Sequence, residues 1–164
     1  LLNMSKDMIE ALALYFNVIG ERETRIDQIR SDLQNSENFS PQDLFMFLDR
    51  DSKGYLSLKD LKDFLDSENY KEESLRKFIH CFDRDGDFAL DYREYCNLIG
   101  IQNDNHEFNN SEVTASTKQE MLKLLLAEIE LVDVCGEIAS EVKSHVDFTS
   151  YSCFLCINQN NKRS

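Results

Sequence analysis

Five carboxylates in one short stretch carry the chemistry of this chain. Residues 83–94 read DRDGDFALDYRE, with Asp83, Asp85, Asp87, Asp91 and Glu94 at positions 1, 3, 5, 9 and 12 of a twelve-residue window. A hard divalent cation needs six to eight oxygens at short range, and a loop wraps one when carboxylates recur every second residue. Crowded like charges repel unless a cation joins them. A second window, residues 49–60, reads DRDSKGYLSLKD and places Asp49, Asp51, Ser57 and Asp60 at positions 1, 3, 9 and 12.

The flanks supply the scaffold. Leu75, Phe78, Ile79 and Phe82 make one apolar stripe ahead of the richer loop, and Tyr95, Leu98 and Ile99 make another after it. Around the poorer loop, Leu44, Phe45 and Leu48 stand at offsets −5, −4 and −1, and Leu61, Phe64 and Leu65 match Tyr95, Leu98 and Ile99 position for position. Such spacing is that of amphipathic helices entering and leaving each loop. Ser40-Pro41 adds a helix-start signal, with Ser as N-cap and Pro in the first turn.

Both windows resemble EF-hand calcium loops, and residues 41–100 as a whole resemble an EF-hand pair. The resemblance implies an all-α fold, an EF-hand pair flanked by long amphipathic helices, with Ca2+ as the bound ion. It assigns metal ligation to Asp83, Asp85 and Asp87, to the Ala89 carbonyl, to Asp91 directly or through water, and to Glu94 with two oxygens. In the poorer loop it assigns Asp49, Asp51, Tyr55 and Asp60 to a site that is weak or empty. Lys53 stands there at position 5, bringing a cation where an oxygen is wanted, and Asp60 is a shorter arm than the Glu usual at position 12. Leu90, at position 8, is expected to pair with the partner loop through a short β-bridge. The richer loop departs from the family at position 6, where Phe88 replaces the usual Gly; a bulky residue at positive φ costs about 1–2 kcal/mol. Gly86, two places earlier, eases the turn without replacing that Gly. The alternative is a former calcium loop that keeps the shape and binds weakly.

Composition agrees with this class. The chain has 164 residues, one Pro and five Gly, which leaves few helix breakers, and 41% hydrophobic residues suffice for a core. Net charge is −13, disfavouring nucleic acid and anionic membranes as partners and favouring cations and basic segments. Five irregularly spaced Cys, with no signal peptide and no apolar run of membrane length, imply a reducing, cytoplasmic setting. Cys153 and Cys156 match C-x-x-C but lie in an apolar helical pattern, which reads as buried small side chains. His80, His106 and His145 show no ligand spacing. With no nucleophile–base constellation, Gly-rich phosphate loop or paired-His motif, catalysis is not expected.

The remaining chain divides as residues 1–38, a long helix; 39–100, the pair; 101–117, a polar linker; and 118–164, a helical half-repeat. Leu12, Tyr15, Ile19, Ile26, Ile29 and Leu33 form a three-four stripe interrupted by Arg22. Met121, Leu124, Leu131, Cys135, Ile138 and Val142 share its register, and residues 158–160 repeat the opening of a vestigial or truncated loop. Thr117 with Glu120 resembles a capping box. The family implies a helical protein partner docked in an apolar groove, as part of a larger assembly; a loose likeness to EF-hand proteins of protist cilia and cytoskeleton suggests where. Only Met46 lies within the pair, which argues for one fixed partner rather than a promiscuous groove. The competing functions are a calcium-binding regulatory or adaptor protein, a structural scaffold using EF-hands for packing, and a regulatory segment of a larger enzyme.

Overall fold

A computed structural model describes residues 6–66, 68, 70–102 and 112–144. The expectations for His106, His145, Cys153, Cys156 and the half-repeat beyond residue 144 lie outside the described residues.

Six helices and one two-stranded ribbon make up the described chain: α1 (Lys6–Gln34), α2 (Pro41–Leu48), β1 (Tyr55–Leu56), α3 (Leu58–Leu65), α4 (Glu72–Phe82), β2 (Leu90–Asp91), α5 (Tyr92–Leu98) and α6 (Ala115–Ser144). The fold is all-α apart from that ribbon. The short helices begin where the sequence provides caps. Ser40 accepts the Asp43 N–H ahead of Pro41. Ser57 with Asp60, and Asp91 with Glu94, form reciprocal capping boxes at the starts of α3 and α5. Each satisfies two backbone donors that a helix leaves open at its first turn. The start of α6 differs from expectation: Thr114, not Thr117, caps it, accepting the Thr117 N–H at 3.1 Å. Thr117 is instead buried inside the first turn and hydrogen bonds Ser36 across 2.9 Å.

The chain divides into two compact units. Among the described residues, those within 22–132 form one, and 6–21 with 133–144 form the other. In the smaller unit Met8 and Val142 are buried, and a hydrogen bond to Glu141 raises the Tyr15 pKa.

The larger unit holds the core. Leu44, Phe45, Leu48, Leu56, Leu61, Leu65, Leu75, Phe78, Ile79, Leu90, Tyr95, Leu98 and Ile99 come from the two helix–loop–helix segments. Ile26, Ile29 and Leu33 of α1, and Met121, Leu124, Leu125 and Ile129 of α6, belong to the same buried cluster. Each such side chain contributes about 1.5–3 kcal/mol on burial. Edge-to-face contacts of Phe45 with Tyr92 and Tyr95, at 5.3 and 5.2 Å, fasten α2 to α5. Arg22, the interruption in the α1 stripe, pairs with Glu130 of α6 at 2.6 Å.

Candidate metal centre

The ribbon sets the two loops side by side. Leu56 faces Leu90 and Tyr55 faces Asp91 in antiparallel register, with both leucines fully buried. Position 8 of each loop is therefore a core residue, and the carboxylates on either side are held by a shared backbone ladder.

In residues 83–94, carboxylate oxygens of Asp83, Asp85 and Asp87 lie within 4.8 Å of one another. Asp83 is buried and closes the loop from its first position, accepting the Gly86 N–H at 2.7 Å and the Phe88 N–H at 3.0 Å. Asp87 accepts the Ala89 N–H at 2.9 Å. Glu94, also buried, reaches back from α5: one oxygen accepts the Arg84 N–H at 2.6 Å, the other the Asp91 N–H at 2.9 Å. Glu94 thus ties position 12 to positions 2 and 9. Burial pushes the Asp83 carboxyl up, but main-chain donors from Gly86, Phe88 and Asp87 outweigh it and leave its pKa below the ordinary value. Asp85 is different. The Asp87 N–H lowers its pKa, but burial and the negative charges of Asp87, Glu94 and Asp83 prevail and raise it. Among the described residues, no lysine or arginine pairs with these five acids. Phe88 does adopt the left-handed region, at φ 64°, with its ring 74% exposed; Gly86 sits at φ 80°.

Residues 49–60 have the same skeleton and a different centre. Asp49 accepts the Gly54 N–H at 2.7 Å and the Lys53 N–H at 3.1 Å. Asp60 accepts from the Ser57 N–H and hydroxyl, at 2.7 and 2.5 Å. The Lys53 ammonium lies 2.9 Å from Asp49, 3.1 Å from Asp60 and in direct contact with Asp51. Burial opposes the Lys53 charge, yet hydrogen bonds to Asp51, Asp49 and Asp60 hold its pKa well above the ordinary lysine value. Asp49 and Asp60 are both lowered: burial acts against them, and Lys53 with main-chain or hydroxyl donors outweighs it. Tyr55 stands at position 7, its ring 5.4 Å from the ammonium. Gly54 at position 6 takes φ 88° without a side chain to strain.

The donors fit a hard divalent cation at residues 83–94. Hydroxyl-free carboxylate oxygens, with a main-chain carbonyl available at Ala89, are the ligand chemistry that calcium takes. The structure gathers the carboxylates of Asp83, Asp85 and Asp87 in this loop and those of Asp49, Asp51 and Asp60 in the other, while Asp91 and Glu94 stand outside the first cluster, their carboxylates accepting main-chain N–H groups.

Other polar contacts in the same unit were not foreseen from the sequence. Arg30 of α1 donates to the Leu98 carbonyl at 2.9 Å and pairs with buried Glu128 of α6 at 2.6 Å. Gln34 donates to the Ile99 carbonyl at 2.8 Å. These side chains satisfy carbonyls that α5 leaves open at its end. Burial raises the Glu128 pKa, against the opposing pull of Arg30. The available signal was positional: Arg30 lies four residues after Ile26, on the stripe's own face.

A helix–loop–helix pair, joined by a ribbon and carrying acidic clusters in both turns, defines a class of cation-binding module. Residues 42–100 match the family model of the EF-hand domain pair. No curated protein matches the chain. Among the described residues, no helix is long and apolar enough to cross a membrane.

Proposed function

We propose that the chain is a calcium-binding regulatory or adaptor protein, without enzymatic activity of its own, in which residues 83–94 take Ca2+ and residues 49–60 do not. Asp83, Asp85, Asp87, Asp91, Glu94 and the Ala89 carbonyl form the ligand set. The observation that carries this reading is the uncompensated charge of that loop: its acids raise one another's cost, as at Asp85, and find no basic partner among the described residues.

Glu94 is the mechanical link. It lies in the first turn of α5, whose far end is gripped by Arg30 and Gln34 of α1. An ion that draws Glu94 inward pulls on a helix already tied to α1, so occupancy is felt where α1 and α6 fill the lobe's interior. Those helices are the lobe's resident occupants, and a helical protein partner competes with them or docks onto them. Calorimetry tests the reading: one equivalent of calcium binds, and Glu94→Gln abolishes that heat. No heat at millimolar calcium in the parent protein defeats it.

A scaffold role is the second reading, and the filled interior favours it. There the pair packs within a larger cytoplasmic, cytoskeletal or ciliary assembly, and calcium changes nothing. Pull-down with and without chelator separates the two, since a scaffold retains identical partners under both conditions.

A further inference from the structure

The acidic cluster of residues 49–60 already holds a cation, and the cation belongs to the chain. Lys53 Nζ contacts carboxylates from positions 1, 3 and 12 of its loop: Asp49 at 2.9 Å, Asp51, and Asp60 at 3.1 Å. Asp49 and Asp60 are the loop's two ends, and one ammonium bridges them. We propose that the Lys53 ammonium takes the place of the metal in residues 49–60, excluding a divalent ion and holding this loop in its paired form whether or not calcium is present.

Three features support the assignment. The first is position. A lysine stem is long enough to fold back, and here its side chain is 20% exposed while Asp49 and Asp60 are 4% and 9% exposed. The charge is therefore inside the loop rather than waving beside it. The second is competition. A divalent ion needs the same oxygens at about 2.3–2.6 Å, and it cannot share them with an ammonium against which it is strongly repelled. The ammonium is tethered, so its local concentration far exceeds that of any free ion. The third is the consistency of the surroundings. Asp49 also accepts the Lys53 and Gly54 N–H groups, and Asp60 the Ser57 N–H and hydroxyl, so both carboxylates are fixed where the ammonium meets them.

The ribbon gives the device a consequence, which rests on the calcium reading of residues 83–94. Leu56 pairs with Leu90 and Tyr55 with Asp91, so order in one loop is imposed on the backbone of the other. A permanently filled partner loop means that the richer loop begins organised. Calcium then binds as a single, non-cooperative event, with part of the ordering cost already met.

The full chain is titrated with calcium by calorimetry, and amide exchange is followed in chelator. Wild type takes up one equivalent. Lys53→Asp supplies a fourth carboxylate, removes the competing charge and takes up one equivalent more. Lys53→Met keeps the stem and loses the charge; in chelator, exchange at Gly54 and Leu56 quickens about tenfold or more, the scale of a lost, largely enclosed ion pair. Lys53→Arg retains the charge and gains no calcium. A second equivalent in wild type overturns the proposal, as does unchanged exchange in Lys53→Met. Should Lys53→Met not fold, failure of Lys53→Asp to gain an equivalent overturns it. If wild type binds no calcium, the reading of residues 83–94 fails alone, because exchange in Lys53→Met and the gain in Lys53→Asp still decide the role of Lys53.

Discussion

Residues 49–60 and residues 83–94 share a skeleton and settle their charge in opposite ways. Each begins with a buried Asp that accepts main-chain N–H groups from the turn, and each ends in a capping box that starts the next helix. They differ at position 5. Lys53 turns inward and neutralises; Asp87 adds a further negative charge. The pKa directions record the outcome, with Asp49 and Asp60 lowered beside the ammonium and Asp85 raised among its own kind. On the proposed reading, this position carries the largest difference in charge between two loops of similar backbone.

The exiting helices extend the contrast, and the largest effect is expected there. The carbonyls at the end of α5 are held by Arg30 and Gln34. Arg30→Met removes that grip and strands Glu128, whose side chain is 7% exposed. A buried carboxylate left without its partner costs about 3 kcal/mol, and chemical denaturation of the full chain should show it. Glu128→Gln keeps an acceptor and should cost clearly less. Equal losses would mean that the charge on Glu128 is irrelevant to α5.

Next in size is the loss of a ligand. Glu94→Gln should abolish the calcium heat, because the loop loses the charged residue that supplies two of its oxygens. Asp60→Asn, at the same position of the other loop, should leave the calcium titration unchanged. Parallel losses from both substitutions would erase the distinction between the loops.

Smaller still is a mirrored pair of turn substitutions. Phe88 sits at φ 64° with an exposed ring, so Phe88→Gly relieves strain and sacrifices little packing. Allowing for the extra freedom of glycine in the unfolded chain, the net gain is about 1 kcal/mol. Gly54→Ala, at φ 88° in the other loop, should lose a similar amount. Thermal melts in chelator measure both, and a stabilising Gly54→Ala would show that the turns are not equivalent.

The smallest effect lies in pH. Asp49 and Asp60 have lowered pKa values, so their stabilisation is present above the ordinary aspartate value of 3.8 and is lost only as pH falls through the lower folded values. Asp85 has a raised value, so in chelator it takes up a proton above 3.8, and calcium must displace that proton. As pH falls, carboxyl carbon shifts followed by NMR should therefore titrate at Asp85 before Asp49 and Asp60, with calcium affinity falling over the same range. Earlier titration of Asp49 would contradict the shielding by Lys53.

Local pattern made most of this fold readable. Ligand spacing, the stripes around each loop, Ser40-Pro41 and the β-bridge at Leu90 all depend on residues close in sequence, and local geometry follows from them. Arg30, Gln34 and Glu128 were not readable in the same way. Their roles depend on which distant carbonyl or carboxylate the packed helices bring near, and periodicity holds no information about that. Lys53 falls between the two cases. Its intrusion into the ligand series is plain from spacing, whereas its inward fold depends on two buried carboxylates approaching from opposite ends of the loop. Thr117 was displaced as a cap because Thr114 supplies an equally good hydroxyl one turn earlier, and burial against Ser36 then claimed Thr117.

The interior shared by remote helices has a consequence for biogenesis. Ile26, Ile29 and Leu33 leave the ribosome before the EF-hand pair, whereas Met121, Leu124, Leu125 and Ile129 follow it. A nascent chain that has just completed residue 100 therefore holds both loops but lacks one wall of its hydrophobic centre. Closure waits for α6 to emerge, so the lobe matures after translation has passed well beyond the motif. A recombinant fragment trimmed to residues 42–100 would be arrested in that same unfinished condition, with greasy surface in water and a tendency to clump.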